Sequence, residues 1–134
     1  MTRTVDPVAN QLPALLAALP ADTPLVMLNL LRFRAQAAYR DPQWQGSGRD
    51  AYARYAAIAM RKVQEVGGEL RYRGAVKGLL IAPEAEAWDE VLLVRYPSVA
   101  AFTAMLAMPD YREATRHRTA ALDEARLIAT VALD

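Results

Sequence analysis

Leu25-Val26-Met27-Leu28-Asn29-Leu30-Leu31 is apolar at both phases of a two-residue repeat. A strand with no polar face belongs inside a sheet that is covered on both sides. Val91-Leu92-Leu93-Val94-Arg95-Tyr96 repeats this character over most of its length. Two inner strands require outer ones. Glu69 to Val76 alternates, with Leu70, Tyr72 and Val76 on one side and Arg71 and Arg73 on the other, and predicts a half-exposed strand. Arg126 to Leu133 supplies the fourth.

Helices are expected between these strands. Ser47 with Asp50 resembles a capping box, opening a helix that places Tyr52, Tyr55, Ala56, Ala59, Val63 and Val66 on one face and stops at Gly67-Gly68. Ser98 caps a second helix with Val99, Phe102, Met105 and Leu106 inward. Pro109 breaks it, and Asp110 with Glu113 restarts it in another arrangement like a capping box, with the stripe Tyr111, Ala114, Ala121, Leu122 and Ala125 toward the core. Ahead of the first strand, Leu12, Leu15, Leu16 and Leu19 predict a short helix over Gln11 to Leu19, with Asn10 as its N-cap and Pro13 in its first turn. Arg34 to Gly48 and Pro83 to Ala87 read as loops, and Gly74 and Gly78 suggest bulges.

The order strand, helix, strand, strand, helix, strand is the split βαβ pattern of an α+β, ferredoxin-like βαββαβ fold with a four-stranded antiparallel sheet. Its first and third strands are central, and these are the two with the least polar faces. The expectation is one domain over residues 1–134, with a helical extension at 1–24 and the core at 25–134. Helices cover one face of such a sheet. Met27, Leu31 and their neighbours are expected to make the other face apolar too, so a face-to-face homodimer is predicted.

Composition narrows the function classes. The chain has no cysteine, which excludes disulfides, thiolate metal sites and cysteine nucleophiles. Its formal charge of +1 gives no electrostatic footprint for nucleic acid or an anionic membrane. Asp6 offsets Arg3 and Pro13 interrupts the apolar run at Leu12 to Leu19, so no signal peptide is expected, and the protein reads as cytoplasmic. No apolar run approaches the ~18 residues needed to span a bilayer.

Tyr52-Ala53-Arg54-Tyr55, Gly67-Gly68, Arg73-Gly74, Trp88-Asp89, Arg95-Tyr96-Pro97-Ser98, Phe102 with Met105, Pro109-Asp110-Tyr111 and His117-Arg118 occur in this order. Together they resemble a bacterial family known as domain of unknown function 1330, within the dimeric α+β barrel superfamily. The resemblance spans about Leu25 to Val131 and implies a homodimer of stacked sheets. Superfamily relatives include cofactor-independent oxygenases, isomerases and haem-degrading enzymes, but the family transfers no reaction.

His117 is the single histidine and the one side chain whose ordinary pKa lies near neutrality. It falls at the edge of a helical stripe that contains Arg118. A buried arginine requires a partner, either a local carboxylate such as Asp89 or Glu90 or the anion of a ligand. If both side chains face one cavity, His117 could move a proton while Arg118 holds an anion; otherwise His117 is a solvated edge residue. Asn29 places an amide in an apolar layer, Trp88 could form a wall, and Arg95 either stabilises charge or pairs with Asp89 or Glu90.

Other motifs fail. Gly46-Ser47-Gly48-Arg49-Asp50-Ala51 matches G-x-G-x-x-A, but no strand precedes it, and a capped helix start explains its glycines. Glu84, Glu86, Asp89 and Glu90 lack calcium-loop spacing, so no metal is expected, and no cofactor is implied. Two readings stand. One is a small-molecule site supporting a cofactor-independent transformation of an apolar or aromatic compound with an anionic group, carried by His117 as the catalytic residue with Asn29, Trp88, Arg95 and Arg118 binding the ligand. The other is a non-catalytic dimeric binding or scaffold module.

Overall fold

A computed structural model describes residues 4–7 and 12–134. Its elements are α1 (Leu12–Ala18), β1 (Leu25–Phe33), α2 (Gly48–Glu65), β2 (Glu69–Ala75), β3 (Glu90–Tyr96), α3 (Val99–Ala107), α4 (Pro109–Ala121) and β4 (Leu122–Thr130). The strands form one antiparallel sheet in the order β2-β3-β1-β4, so the two apolar strands are the inner pair. The expected cap Asn10 lies outside the described residues.

The local signals act through hydrogen bonds. Ser47 and Asp50 close a reciprocal capping box at the start of α2. Gly67, at φ +83°, lets the chain turn back at the other end, where its N–H reaches the Gln64 carbonyl and that of Gly68 reaches Val63. That is a Schellman closure, which needs a residue in the left-handed region. Ser98 caps α3 through the Ala101 N–H. Asp110 and Glu113 do not form a second capping box: Met108 is the N-cap of α4, Pro109 starts the helix, and Asp110 instead pairs with Lys62 of α2.

β4 starts earlier than the sequence pattern suggests. Leu122 and Ala125 belong to this strand, not to the helical stripe, because the chain passes from α4 into β4 at Ala121–Leu122 without a loop. Asp123 and Glu124 are poor strand residues by composition, but Arg32 on β1 binds both, at 3.0 and 2.9 Å, beside an irregularity in the β1–β4 register. Glu124 also accepts from Arg126 at 2.9 Å and is buried. Of the expected bulges, Gly74 lies in regular pairing, and the β2–β3 register shifts between Leu70 and Tyr72 instead.

Helices cover one face only. Beneath them lie Leu25, Met27, Leu31, Leu92, Val94 and Tyr96, packed against Tyr52, Tyr55, Ala59 and Val63 of α2, Phe102 and Met105 of α3, and Tyr111 and Ala114 of α4. The assignment of Met27 and Leu31 to the uncovered face is thereby corrected. The open face carries the opposite phase, Val26, Leu28 and Leu30 on β1 and Val91 and Leu93 on β3, all only partly buried, with Ile128 44% and Tyr72 55% exposed. No described helix is long and apolar enough to cross a membrane.

Candidate functional site

A cavity opens between the helices and the covered face of the sheet. One lobe, of about 200 Å³, is walled by Met27, Leu92, Val94, Phe102 and Met105, with Asn29, Tyr52, Tyr55, Tyr111 and Arg118 among its polar residues and the Asp6 carboxylate at its rim. An adjoining lobe of about 250 Å³ runs under the N-terminal segment, between Val5, Leu12, Leu15 and Leu16 on one side and Ala125, Leu127 and Ala129 on the other. Arg118, Met27 and Phe102 line both. A dry apolar cavity of ~150 Å³ suffices for a benzene ring, so each lobe is large enough for one ring.

The polar atoms of this cavity are under-used by the protein. Arg118 reaches in from α4, and one Nη donates to the Val5 carbonyl at 2.7 Å, not to the carboxylate of Asp89 or Glu90. Asp89 accepts instead from the Phe33 N–H at 2.8 Å and Glu90 from Arg73 at 3.2 Å. The other guanidinium donors have no protein acceptor among the described residues. Asn29 makes one long contact, its amide nitrogen to the Met27 carbonyl at 3.4 Å. Tyr55 and Tyr111 bond to each other, hydroxyl to hydroxyl at 2.9 Å. The Tyr52 hydroxyl has no hydrogen-bond partner among the described residues. Burial pushes the Tyr52, Tyr55 and Tyr96 phenols above their usual range, with the Arg118 cation opposing this at Tyr52 and Tyr55. These phenols therefore stay protonated at neutral pH and can donate.

The structure does not bring His117 to this cavity. It sits on the neighbouring face of α4, 5% exposed, under the 34–47 loop. Tyr39 meets its Nδ1 at 2.6 Å, and the Trp44 ring stands edge-on at 4.8 Å. Arg54 donates to the Tyr39 oxygen at 3.2 Å, so the single Tyr39 proton is left to donate to His117. Nδ1 is then an acceptor and the imidazole neutral. Burial holds its pKa below the ordinary value, and the Arg116 and Arg54 cations add to this against Glu113. The loop is pinned by Arg34 N–H to Ala121 O at 2.8 Å, Ala38 N–H to Ala120 O at 2.9 Å and Gly48 N–H to Arg34 O at 3.0 Å.

Trp88 and Arg95 also lie elsewhere. Trp88 is buried under the Arg126 guanidinium, 5.2 Å from its ring centre, beside the start of β3. Arg95 follows Val91 and Leu93 on the open face and has no carboxylate within ion-pair distance among the described residues. Of the five expected site residues, Asn29 and Arg118 share the cavity. Tyr52, Tyr55 and Tyr111 are additions that sequence reasoning took for core. Their signal was present: phenols in an apolar stripe, where phenylalanine would pack equally well, need partners for their hydroxyls. Among the described residues, no three His, Asp or Glu side chains converge as metal ligands would.

Residues 43–131 match the family described as Domain of unknown function (DUF1330). The chain belongs to this family. Two solved structures align over nearly the whole chain. One is the RPA0582 protein of unknown function from Rhodopseudomonas palustris, at 39% identity, TM-score 0.91 and 99% coverage of both chains. The other is a methylated RPA0582 protein, at 40% identity, TM-score 0.91 and coverage of 100% and 98%. More distant structures share the fold alone, among them a hydroxynitrile lyase from Passiflora edulis at 13% identity and TM-score 0.58, covering 84% of this chain and 96% of that one. No curated protein sequence matches. The α1 helix and most of the loop over His117 precede the segment matched by the DUF1330 family, yet the R. palustris structure covers them.

Proposed function

We propose that this DUF1330 protein binds a small apolar or aromatic compound carrying an anionic group, one per subunit, in the cavity between helices and sheet. The observation that carries the reading is the convergence of three under-satisfied polar groups, Arg118, Asn29 and the Tyr52 hydroxyl, inside a mostly apolar chamber. A half-buried guanidinium with spare donors is matched best by a carboxylate or another planar oxyanion. The aliphatic and aromatic walls favour a ring.

The interior groups hold and donate. Arg118, Asn29 and the three tyrosines include no imidazole or carboxylate, and His117 is engaged with Tyr39 on another face. Asp6 stands exposed at the mouth, accepting the Thr119 hydroxyl at 2.9 Å. The geometry therefore favours binding, or polarisation of a bound anion, over proton transfer by His117.

The subunit pairs with a second copy through its open sheet face. A folded monomer of this mass exposes ~7,000 Å². This chain, at 14.8 kDa, exposes 8544 Å². The excess of roughly 1,500 Å² is of the size that one partner loses in a substantial obligate interface.

Calorimetric titration with benzoate and phenylacetate, against benzyl alcohol as the uncharged control, tests the site. The acids should bind with an affinity that Arg118→Leu lowers at least tenfold and Asn29→Leu lowers less. Equal affinity in wild type and Arg118→Leu, or preference for the alcohol, would refute the reading.

A further inference from the structure

The connection between β2 and β3 has chemistry that its own chain does not use. Residues 77–87 are all exposed, and at the tip Leu80 is 100%, Ile81 98% and Leu79 41% exposed. Single apolar side chains are ordinary on a surface, but three in succession, held away from their own core, are a contact element waiting for a surface. The base of the loop is fixed by Val76 N–H bonded to Asp89 O at 2.9 Å, and a turn follows the tip, with Glu86 N–H bonded to Pro83 O at 3.0 Å. Beyond the tip come Glu84 and Glu86, neither in an ion pair among the described residues.

We propose that residues 77–86 form an arm that crosses onto the open sheet face of a second copy of this chain, laying Leu80 and Ile81 on its apolar strip. This rests on the homodimer reading above and adds to it which segment clasps the partner. Two observations select a second copy over other occupants. The open face offers apolar area in Val26, Leu28, Val91 and Leu93, left uncovered by its own helices. Charge also fits: Arg95 lies within that strip without a carboxylate of its own, and the arm carries Glu84 and Glu86 just past its apolar tip. A lipid surface fits less well, because Lys77 is the arm's lone cation and the two glutamates would face anionic headgroups.

Sedimentation equilibrium over a dilution series, on wild type, Leu80→Asp/Ile81→Asp, Glu84→Lys/Glu86→Lys and the open-face variant Leu28→Asp, decides the matter. Because the tip side chains bury nothing in their own subunit, the first double variant should keep the wild-type circular dichroism. It should raise the dimer dissociation constant at least 100-fold. Glu84→Lys/Glu86→Lys should raise it about tenfold, and adding Arg95→Glu should restore part of that loss. If Leu80→Asp/Ile81→Asp dimerises as tightly as wild type while Leu28→Asp dissociates, the arm is refuted and the sheet-face dimer stands. A wild-type protein that is monomeric at tens of micromolar overturns both.

Discussion

Gly48→Ala should be among the most damaging single-methyl additions in this protein. Gly48 opens α2 where that helix meets the end of β1 and the end of α4. A Cβ there would press on the Arg34 carbonyl and lie 2.6 Å from the Ala121 carbonyl and 2.8 Å from the Arg34 nitrogen. All three obstacles are backbone, so no side chain can rotate away. Relief requires α2 to withdraw, which breaks the Gly48 N–H to Arg34 O bond at 3.0 Å and loosens the Arg34 N–H to Ala121 O bond at 2.8 Å. Overpacking of this kind costs about 1–3 kcal/mol, and two disturbed buried hydrogen bonds add about 1 kcal/mol each. The expected loss is therefore roughly 3–5 kcal/mol, or about 11–18 °C in Tm for a chain of this size. The control is Gly78→Ala, whose Cβ would meet nothing within 4 Å and should leave stability within ~0.5 kcal/mol of wild type. Urea unfolding, with midpoint and slope fitted separately, measures both. A Gly48→Ala protein within ~1 kcal/mol of wild type would show that the three-element junction is not rigid and that close backbone approach is not what requires a glycine at this position.

Further expectations follow from the same contacts. His117 is neutral in the fold and its pKa is held down, so the unfolded chain takes up its proton first. Stability should be full above about pH 6.5 and should fall as pH drops through 6.5 toward the folded pKa, by up to ~1.4 kcal/mol per pH unit, a slope that His117→Gln should flatten. The lowered carboxyl pKa values of Asp50 and Asp110 act only at more acidic pH, so denaturation midpoints between pH 7 and 5 isolate the imidazole. Tyr55→Phe leaves the buried Tyr111 hydroxyl without its 2.9 Å partner and should cost about 1–2 kcal/mol, with part of the loss recovered in the double Tyr55→Phe/Tyr111→Phe variant; equal costs with no recovery would argue against the pair. Ser47→Ala removes the α2 cap and should lower stability by about 1 kcal/mol in the same urea assay. Arg32→Met leaves Glu124, 3% exposed, with Arg126 alone and should cost about 1.5–3 kcal/mol by urea unfolding.

The fold was readable because its decisive signals are local or periodic. The two-sided apolarity of β1 and β3 places them at the centre of the sheet, and Ser47, Ser98 and Gly67 mark helix ends through bonds made within a few residues. What failed depended on phase or on distant partners. The choice of which β1 phase faces the helices turns on a single-residue offset, and the one polar residue inside the apolar run, Asn29, points the wrong way because it lies on the helix-covered face. β4 began four residues early because Arg32, on a strand remote in sequence, holds Asp123 and Glu124 in extended form. The site was half legible for the same reason. Asn29 and Arg118 stand out as polar intrusions in apolar patterns. His117 drew attention for its chemistry, but its surroundings come from Tyr39 and Trp44 in an aperiodic loop, which no spacing rule connects to it.

The direct passage from α4 to β4 restricts how the molecule can breathe. Arg118 stands four residues before the first residue of a strand locked between β1 and the backbone of Thr4, whose carbonyl accepts the Ala125 N–H at 2.7 Å. With no slack at this joint, α4 cannot slide along its axis unless β4 slips against β1, and a slip of one residue would turn every β4 side chain to the wrong face. The helix that presents the guanidinium is thus a fixed wall. The other side of the chamber is less firmly held, since α1 has no buried residue and Leu15 is 49% exposed. Any adjustment to a guest would then fall on that short helix, leaving the position from which Arg118 offers its guanidinium unchanged.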